Sequence, residues 1–167
     1  MKIIFSHGKE SGPDGGKIRA LSEIAQKHNF DTESLDYRFS LDPEKRVIHL
    51  SKYLNELDTP FILVGSSMGG YVSAVNAMQH SPFAVFLLAP AFYLPNYKIQ
   101  TFKLNCDTEI VHGWQDDIVP ISNSIKFAEQ HKCRLHAVPG NHSLNDALED
   151  VSKLFEVFLH RILKKVP

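Results

Sequence analysis

Short apolar runs of strand length recur along this 167-residue chain and alternate with longer stretches of helical spacing. The runs are KIIFS (residues 2–6), TESLDY (32–37), FILVG (61–65), FAVFLL (83–88), TEIVH (108–112) and RLHAV (134–138), and TESLDY carries the weakest signal. Four of the six are almost uninterrupted apolar runs. A strand covered on both faces reads this way, because neither side of its pleat meets water. Strands separated by helix-length segments pair in parallel through crossover helices. The expected class is therefore α/β, a three-layer α/β/α sandwich around a mostly parallel six-stranded sheet.

Helices are expected at about 15–29, 43–57, 68–80, 121–131 and 144–165. The second has a clear start, with Asp42 able to cap, Pro43 suited to the first helical position and Glu44 placing negative charge in the first turn. In the last, Val151, Leu154, Phe155, Phe158, Leu159, Ile162 and Leu163 recur at three- and four-residue steps, an apolar stripe that predicts packing against the sheet. Residues 89–107 form the one long irregular connection, with two prolines and four aromatics, and read as the lip or small lid of a pocket.

The length suits one domain, 1–167, with one core. Hydrophobic residues make up 43% and charged residues 22%, ordinary values for a globular chain. A net charge of -1 gives no concentrated positive face for phosphate neutralisation, which argues against nucleic acid as a partner. The start runs straight into a polar, glycine-containing loop with none of the features of a secretion signal, and no stretch approaches a membrane span. A cytoplasmic protein is expected. Cys106 and Cys133 lack CxxC spacing and read as idle thiols rather than as a disulfide or zinc framework.

The strongest local signal is Gly65-Ser66-Ser67-Met68-Gly69-Gly70, a GxSxG pattern centred on Ser67. It follows the run FILV and precedes a predicted helix. In that order a nucleophile stands at the apex of a sharp strand-to-helix turn, with glycines two residues away on either side because strand and helix pass close together. The following helix also aims its positive end at the site, where an oxyanion would form. A serine needs a base to take its proton, and the base needs a carboxylate to fix its tautomer. After TEIV comes His112-Gly113-Trp114-Gln115-Asp116-Asp117-Ile118-Val119-Pro120, and after RLHAV comes Pro139-Gly140-Asn141-His142-Ser143. In a parallel sheet these loops leave the same end as Ser67.

HGxxDxxVP around Asp116, GNHS around His142, GSSMGG around Ser67 and the early Ser6-His7-Gly8 together resemble the α/β-hydrolase superfamily, in particular its small, nearly lidless bacterial serine esterases. The resemblance extends from residue 2 to about 165 and keeps the family's motif order. It implies a catalytic set of Ser67 as nucleophile, His142 as base and Asp116 as acid, with Asp117 the alternative acid. It further implies an oxyanion hole made by the backbone N–H groups of Lys9 and Met68. His7 and His112 are expected to brace loops. Larger family members carry two more strands ahead of the His-Gly loop, so the sheet should be a minimal version of the fold, and a homodimer is one arrangement that would cover its edge.

Phe92, Tyr93, Leu94, Tyr97 and Trp114 are the expected substrate-pocket residues, lying on loops near the mouth. The loop Gly8-Lys9-Glu10-Ser11-Gly12-Pro13-Asp14-Gly15-Gly16-Lys17 is rich in glycine, but Ile18 stands where a phosphate-binding loop needs Ser or Thr, so a nucleotide site is not expected. The reading is a serine hydrolase cleaving a small carboxylic ester or thioester through an acyl-serine intermediate, with neither metal nor organic cofactor. The alternatives are a catalytically idle binding module of the same fold, or an amide or carbon-carbon bond hydrolase using the same residues.

Overall fold

The computed structural model describes residues 1–165. Its strands are β1 (Lys2–Ser6), β2 (Asp31–Leu35), β3 (Phe61–Ser66), β4 (Ala84–Leu88), β5 (Asp107–Gly113) and β6 (Arg134–Val138). They form one sheet in the order β2-β1-β3-β4-β5-β6, and every neighbouring pair is parallel. The sheet is thus wholly rather than mostly parallel. The helices are α1 (Gly16–Lys27), α2 (Pro43–Asn55), α3 (Met68–His80), α4 (Ile121–His131) and α5 (Leu148–Leu163).

Alternation along the strands divides the core into two layers. Ile4, Leu63, Val85, Leu87 and Ile110 face Leu50 and Leu54 of α2, Val72 of α3 and Phe127 of α4. Ile3, Phe5, Ile62, Val64 and Phe86 face Leu21 and Ala25 of α1 and the α5 stripe. Because both faces are covered, the central strands are apolar throughout, and this explains their nearly unbroken sequence runs. On α5 the side chains of Val151, Phe155, Phe158, Leu159 and Ile162 are fully buried. At about 1.5–3 kcal/mol each, their burial gives roughly 8–15 kcal/mol before entropy is subtracted, which fixes that stripe as core.

One boundary departs by more than two residues from the sequence expectation. α5 begins at Leu148 rather than 144, because Asn141 Oδ1 accepts from Ser143 N–H at 3.0 Å and Leu144 takes a left-handed φ of 54°, so a turn occupies the expected first helical turn. The β4–β5 crossover contains no helix, yet it is packed: Phe92 stacks on Phe127 with ring centroids 4.3 Å apart and lies 4.7 Å from Phe102. Among the described residues no helix is long and apolar enough to cross a membrane.

β1 leads out to the β2 edge, and the chain then returns past β1 to build β3. This reversal puts a crevice beyond the carboxyl ends of β1 and β3, where open parallel sheets bind ligands. The loops carrying His7-Gly8 and Ser67 border it.

Candidate active site

Ser67 occupies the turn between β3 and α3 with φ 53° and ψ -118°, a conformation that L-residues rarely adopt. Strain of this kind costs of order 1–3 kcal/mol and persists where the surroundings enforce it. Here Ser67 N–H donates to Leu88 C=O at 2.9 Å, while Ser67 C=O accepts from Gly70 N–H at 2.9 Å and Ala91 N–H at 3.0 Å. The glycines answer to close approach rather than to φ. A Cβ at Gly65 would stand 2.3 Å from Gly69 O, and one at Gly69 only 2.0 Å from Ser6 O.

Three side chains from three loops meet in one chain of hydrogen bonds. His142 Nε2 lies 2.8 Å from Ser67 Oγ, and His142 Nδ1 lies 2.7 Å from Asp116 Oδ2. An ionised carboxylate can only accept, so Nδ1 carries the proton, Nε2 is bare, and the serine hydroxyl donates to it. Asp116 is fully buried at its side chain, and its other oxygen accepts from Ile118 N–H at 2.9 Å and Val119 N–H at 2.8 Å. Burial acts to raise the Asp116 pKa, but the hydrogen bonds from Val119, His142 and Ile118 outweigh it and hold the carboxyl below its ordinary value. Asp117, the alternative acid, is exposed to solvent.

His112, expected to brace a loop, contacts the loop after β5 and also Asp116. Its buried ring places Nε2 3.0 Å from Val119 C=O and 2.9 Å from Asp116 Oδ2, with Nδ1 2.8 Å from Ser124 Oγ. Burial pushes its pKa down, which favours the neutral ring.

A second group of contacts fixes the loop after β1. His7 Nε2 accepts from Tyr37 N–H at 2.9 Å, so its proton sits on Nδ1 and is donated to Gly8 C=O at 2.8 Å. Arg46 of α2 is wholly buried and donates to three main-chain carbonyls: Ser40 at 2.7 Å through Nε, Gly8 at 3.0 Å and Lys9 at 2.9 Å through the two terminal nitrogens. The Gly8 carbonyl and the Lys9 N–H belong to one trans peptide and point opposite ways. Clamping the carbonyl therefore aims the Lys9 N–H. A Cβ on Gly8 would lie 3.6 Å from that of Ser67, so this peptide runs beside the serine. Met68 N–H, at the first position of α3, has no intrahelical acceptor, and neither it nor Lys9 N–H makes a hydrogen bond among the described residues.

Sequence reasoning missed Arg46, although it left a signal. Arg46, Leu50 and Leu54 are the buried residues of α2 and lie four apart, so a cation stands on the apolar stripe of a predicted helix.

Ser67 and His142 open into a cleft of about 730 Å³ that Leu94, Tyr97 and Ile118 also line. Of the five expected pocket residues, Leu94 and Tyr97 are there, and three are corrected. Phe92 is fully buried, closing the core against Phe127. Tyr93 turns toward α4, where its hydroxyl meets Gln130 at 2.9 Å and Lys126 sits over its ring at 4.0 Å. Trp114 is 57% exposed and does not line the cleft. Among the described residues no cluster of three His, Cys, Asp or Glu side chains could hold a metal ion.

The solved structures it resembles share this architecture. A proposed hydrolase of the alpha/beta superfamily from Xanthomonas campestris pv. campestris is 28% identical, with a TM-score of 0.89 over 96% of this chain and 98% of its own. Est1E from Butyrivibrio proteoclasticus, solved with ferulic acid bound, is 22% identical, with a TM-score of 0.83 over 98% of this chain and 89% of its own. Mouse alpha/beta hydrolase domain-containing protein 10 is 18% identical, with a TM-score of 0.79 over 96% and 90% of the two chains. The latter two speak for the fold alone. No curated protein matches the sequence. The fold is that of the α/β hydrolases, and the profile of the uncharacterised protein family UPF0227 matches residues 2–119, a span that includes Ser67 and Asp116 and stops short of His142. The chain belongs to the uncharacterised protein family UPF0227, within the α/β-hydrolase superfamily.

Proposed function

We propose that the protein is a serine hydrolase that cleaves a small carboxylic ester or thioester through an acyl-serine intermediate. The observation that carries this reading is the continuous relay from Ser67 Oγ through His142 to Asp116, at 2.8 and 2.7 Å. Ser67 attacks the substrate carbonyl while His142 Nε2 takes its proton, and Asp116 stabilises the imidazolium that results without itself becoming protonated. The oxyanion is met by Lys9 N–H and Met68 N–H, whose worth is about 2.7–4 kcal/mol for a single donor in well-studied hydrolases. His142 then returns the proton to the leaving group, and a water repeats the sequence to release the acid.

A strained backbone at Ser67, with its hydroxyl hydrogen-bonded to His142 Nε2, favours a working site over an idle binding module. The test is a set of p-nitrophenyl esters and acyl thioesters of graded chain length, turned over by the native protein and by Ser67→Ala. Turnover of short members by the native protein, lost by a factor of about 10³ or more on substitution, is the expected result. Equal rates for the two proteins would contradict the proposal.

A further inference from the structure

The glycine-rich loop and Lys17 have no role in the relay, yet they enclose space beside it. A second cavity of about 300 Å³ lies between this loop, the start of α1 and the segment after His142. Its volume equals that of roughly ten water molecules at ~30 Å³ each, within the range of small-molecule sites. Gly8, Ser11, Lys17, Ser66 and Ser143 line both this cavity and the Ser67 cleft, so the two are continuous.

Lys17 stands at the junction. Its ammonium donates to the Ser143 carbonyl, a residue that borders both spaces, and an ammonium has three donors, which leaves two unused. Among the described residues no carboxylate lies within ion-pairing distance of it. Glu10, the one carboxylate lining either cavity, is exposed and makes no pair with Lys17. Burial pushes the lysine's pKa below its ordinary value. Lys17 is also the second residue of α1, a helix with no acidic residue in its first turn, so its charge faces the positive end of the dipole. A half-buried cation with no counter-charge, at the unfavourable end of a helix, is destabilising for the fold. An anionic group bound in the adjoining space would offset that cost.

We propose that this cavity is a subsite for an anionic group, a carboxylate or phosphate, on the substrate, with Lys17 its cationic partner. The inference rests on the serine-hydrolase reading and narrows it: the preferred ester or thioester carries a negative charge a few bonds from the scissile carbonyl. The Ser11 hydroxyl, which makes no hydrogen bond among the described residues, supplies a further donor at the same boundary.

The experiment compares mono-p-nitrophenyl glutarate with p-nitrophenyl pentanoate, on native protein, Lys17→Met and Lys17→Arg. A charged hydrogen bond predicts a preference for the glutarate ester of roughly 10-fold or more in kcat/KM. Lys17→Met should abolish the preference, bringing the ratio of the two kcat/KM values to about one, and Lys17→Arg should retain it. Inhibition of pentanoate turnover by free glutarate or by inorganic phosphate, lost in Lys17→Met, identifies which anion fits. No charge preference in the native protein, or an equal loss on both esters in Lys17→Met, overturns the proposal, because the lysine then merely ties Ser143 to α1. If neither ester is turned over, it is the hydrolase reading that fails. The subsite is then judged on Ser67→Ala: a Tm raised by glutarate or phosphate only while Lys17 is present supports it, and an unchanged Tm overturns it.

Discussion

Replacing Arg46 by methionine separates the cost of the Gly8–Lys9 clamp to the fold from its cost to turnover. Methionine keeps much of the buried stem volume and donates nothing. The Gly8 carbonyl retains its bond from His7 Nδ1 at 2.8 Å, so the carbonyls of Ser40 and Lys9 are the two that lose their partner. A buried unsatisfied carbonyl costs about 1–3 kcal/mol, but Ser40 is half-buried and Lys9 exposed, so water replaces much of what is lost. Loss of the buried, unpaired guanidinium offsets part of the remainder. The net stability loss should be about 1–3 kcal/mol, and the variant should fold. The effect on turnover is larger. With one of its two clamps gone, the Gly8–Lys9 peptide can rotate, and its N–H no longer points at a fixed place. Loss of one oxyanion donor lowers kcat about 10²–10³-fold, so Arg46→Met should lose about 10²-fold in kcat with KM within about twofold. Urea denaturation gives the stability term, and steady-state kinetics on a short p-nitrophenyl ester give the rest. Added guanidinium should restore part of the lost kcat. A folded Arg46→Met with native kcat, or one whose loss is entirely in KM, would refute the positioning role.

Asp116→Asn should preserve the fold and lower kcat by about 10⁴-fold, because an amide NH₂ facing His142 Nδ1 forces the ring into the tautomer whose Nε2 already bears a proton. Asp117→Asn, altering an exposed side chain, should stay within about twofold of native in the same ester assay. Stability should fall as the medium is acidified below about pH 6.5. His7 is buried, its Nε2 accepts from Tyr37 N–H, and burial lowers its pKa from the ordinary 6.5. Below 6.5 the unfolded state therefore binds more protons than the folded one, and stability rises with pH up to that value. Each such histidine contributes a slope of up to about 1.4 kcal/mol per pH unit, and urea midpoints between pH 5.5 and 7.5 read it. His7→Gln should flatten the profile, whereas a profile unchanged by that substitution would contradict the assignment.

What the sequence revealed and what it hid divide along physical lines. β3, β4 and α3 were legible because strands buried on both faces must be apolar throughout, and because GSSMGG encodes the close approach of Gly65 and Gly69 to neighbouring backbone. Ser67, Asp116 and His142 could be placed together because parallel topology carries all three loops to one rim. Arg46 was hidden because a single arginine in a helix normally marks a solvated face. Here Leu50 and Leu54 share its side of α2, so it is carried inward instead. Phe92, Tyr93 and Trp114 were misplaced because aromatic residues on loops carry no periodicity, and the path of the chain alone decides whether they face cleft, core or water. The Lys17 cavity joins positions 126 residues apart, a proximity that no local pattern encodes.

The central claim is that the hydroxyl at position 67 is an activated nucleophile, and an active-site-directed fluorophosphonate tests it most directly. The native protein should gain one phosphonyl adduct, mapped to Ser67 by peptide mass spectrometry, at a rate that collapses in His142→Ala and with no adduct in Ser67→Ala. A folded native protein that stays unmodified while a control serine hydrolase is labelled, or an adduct on another residue, would contradict the account.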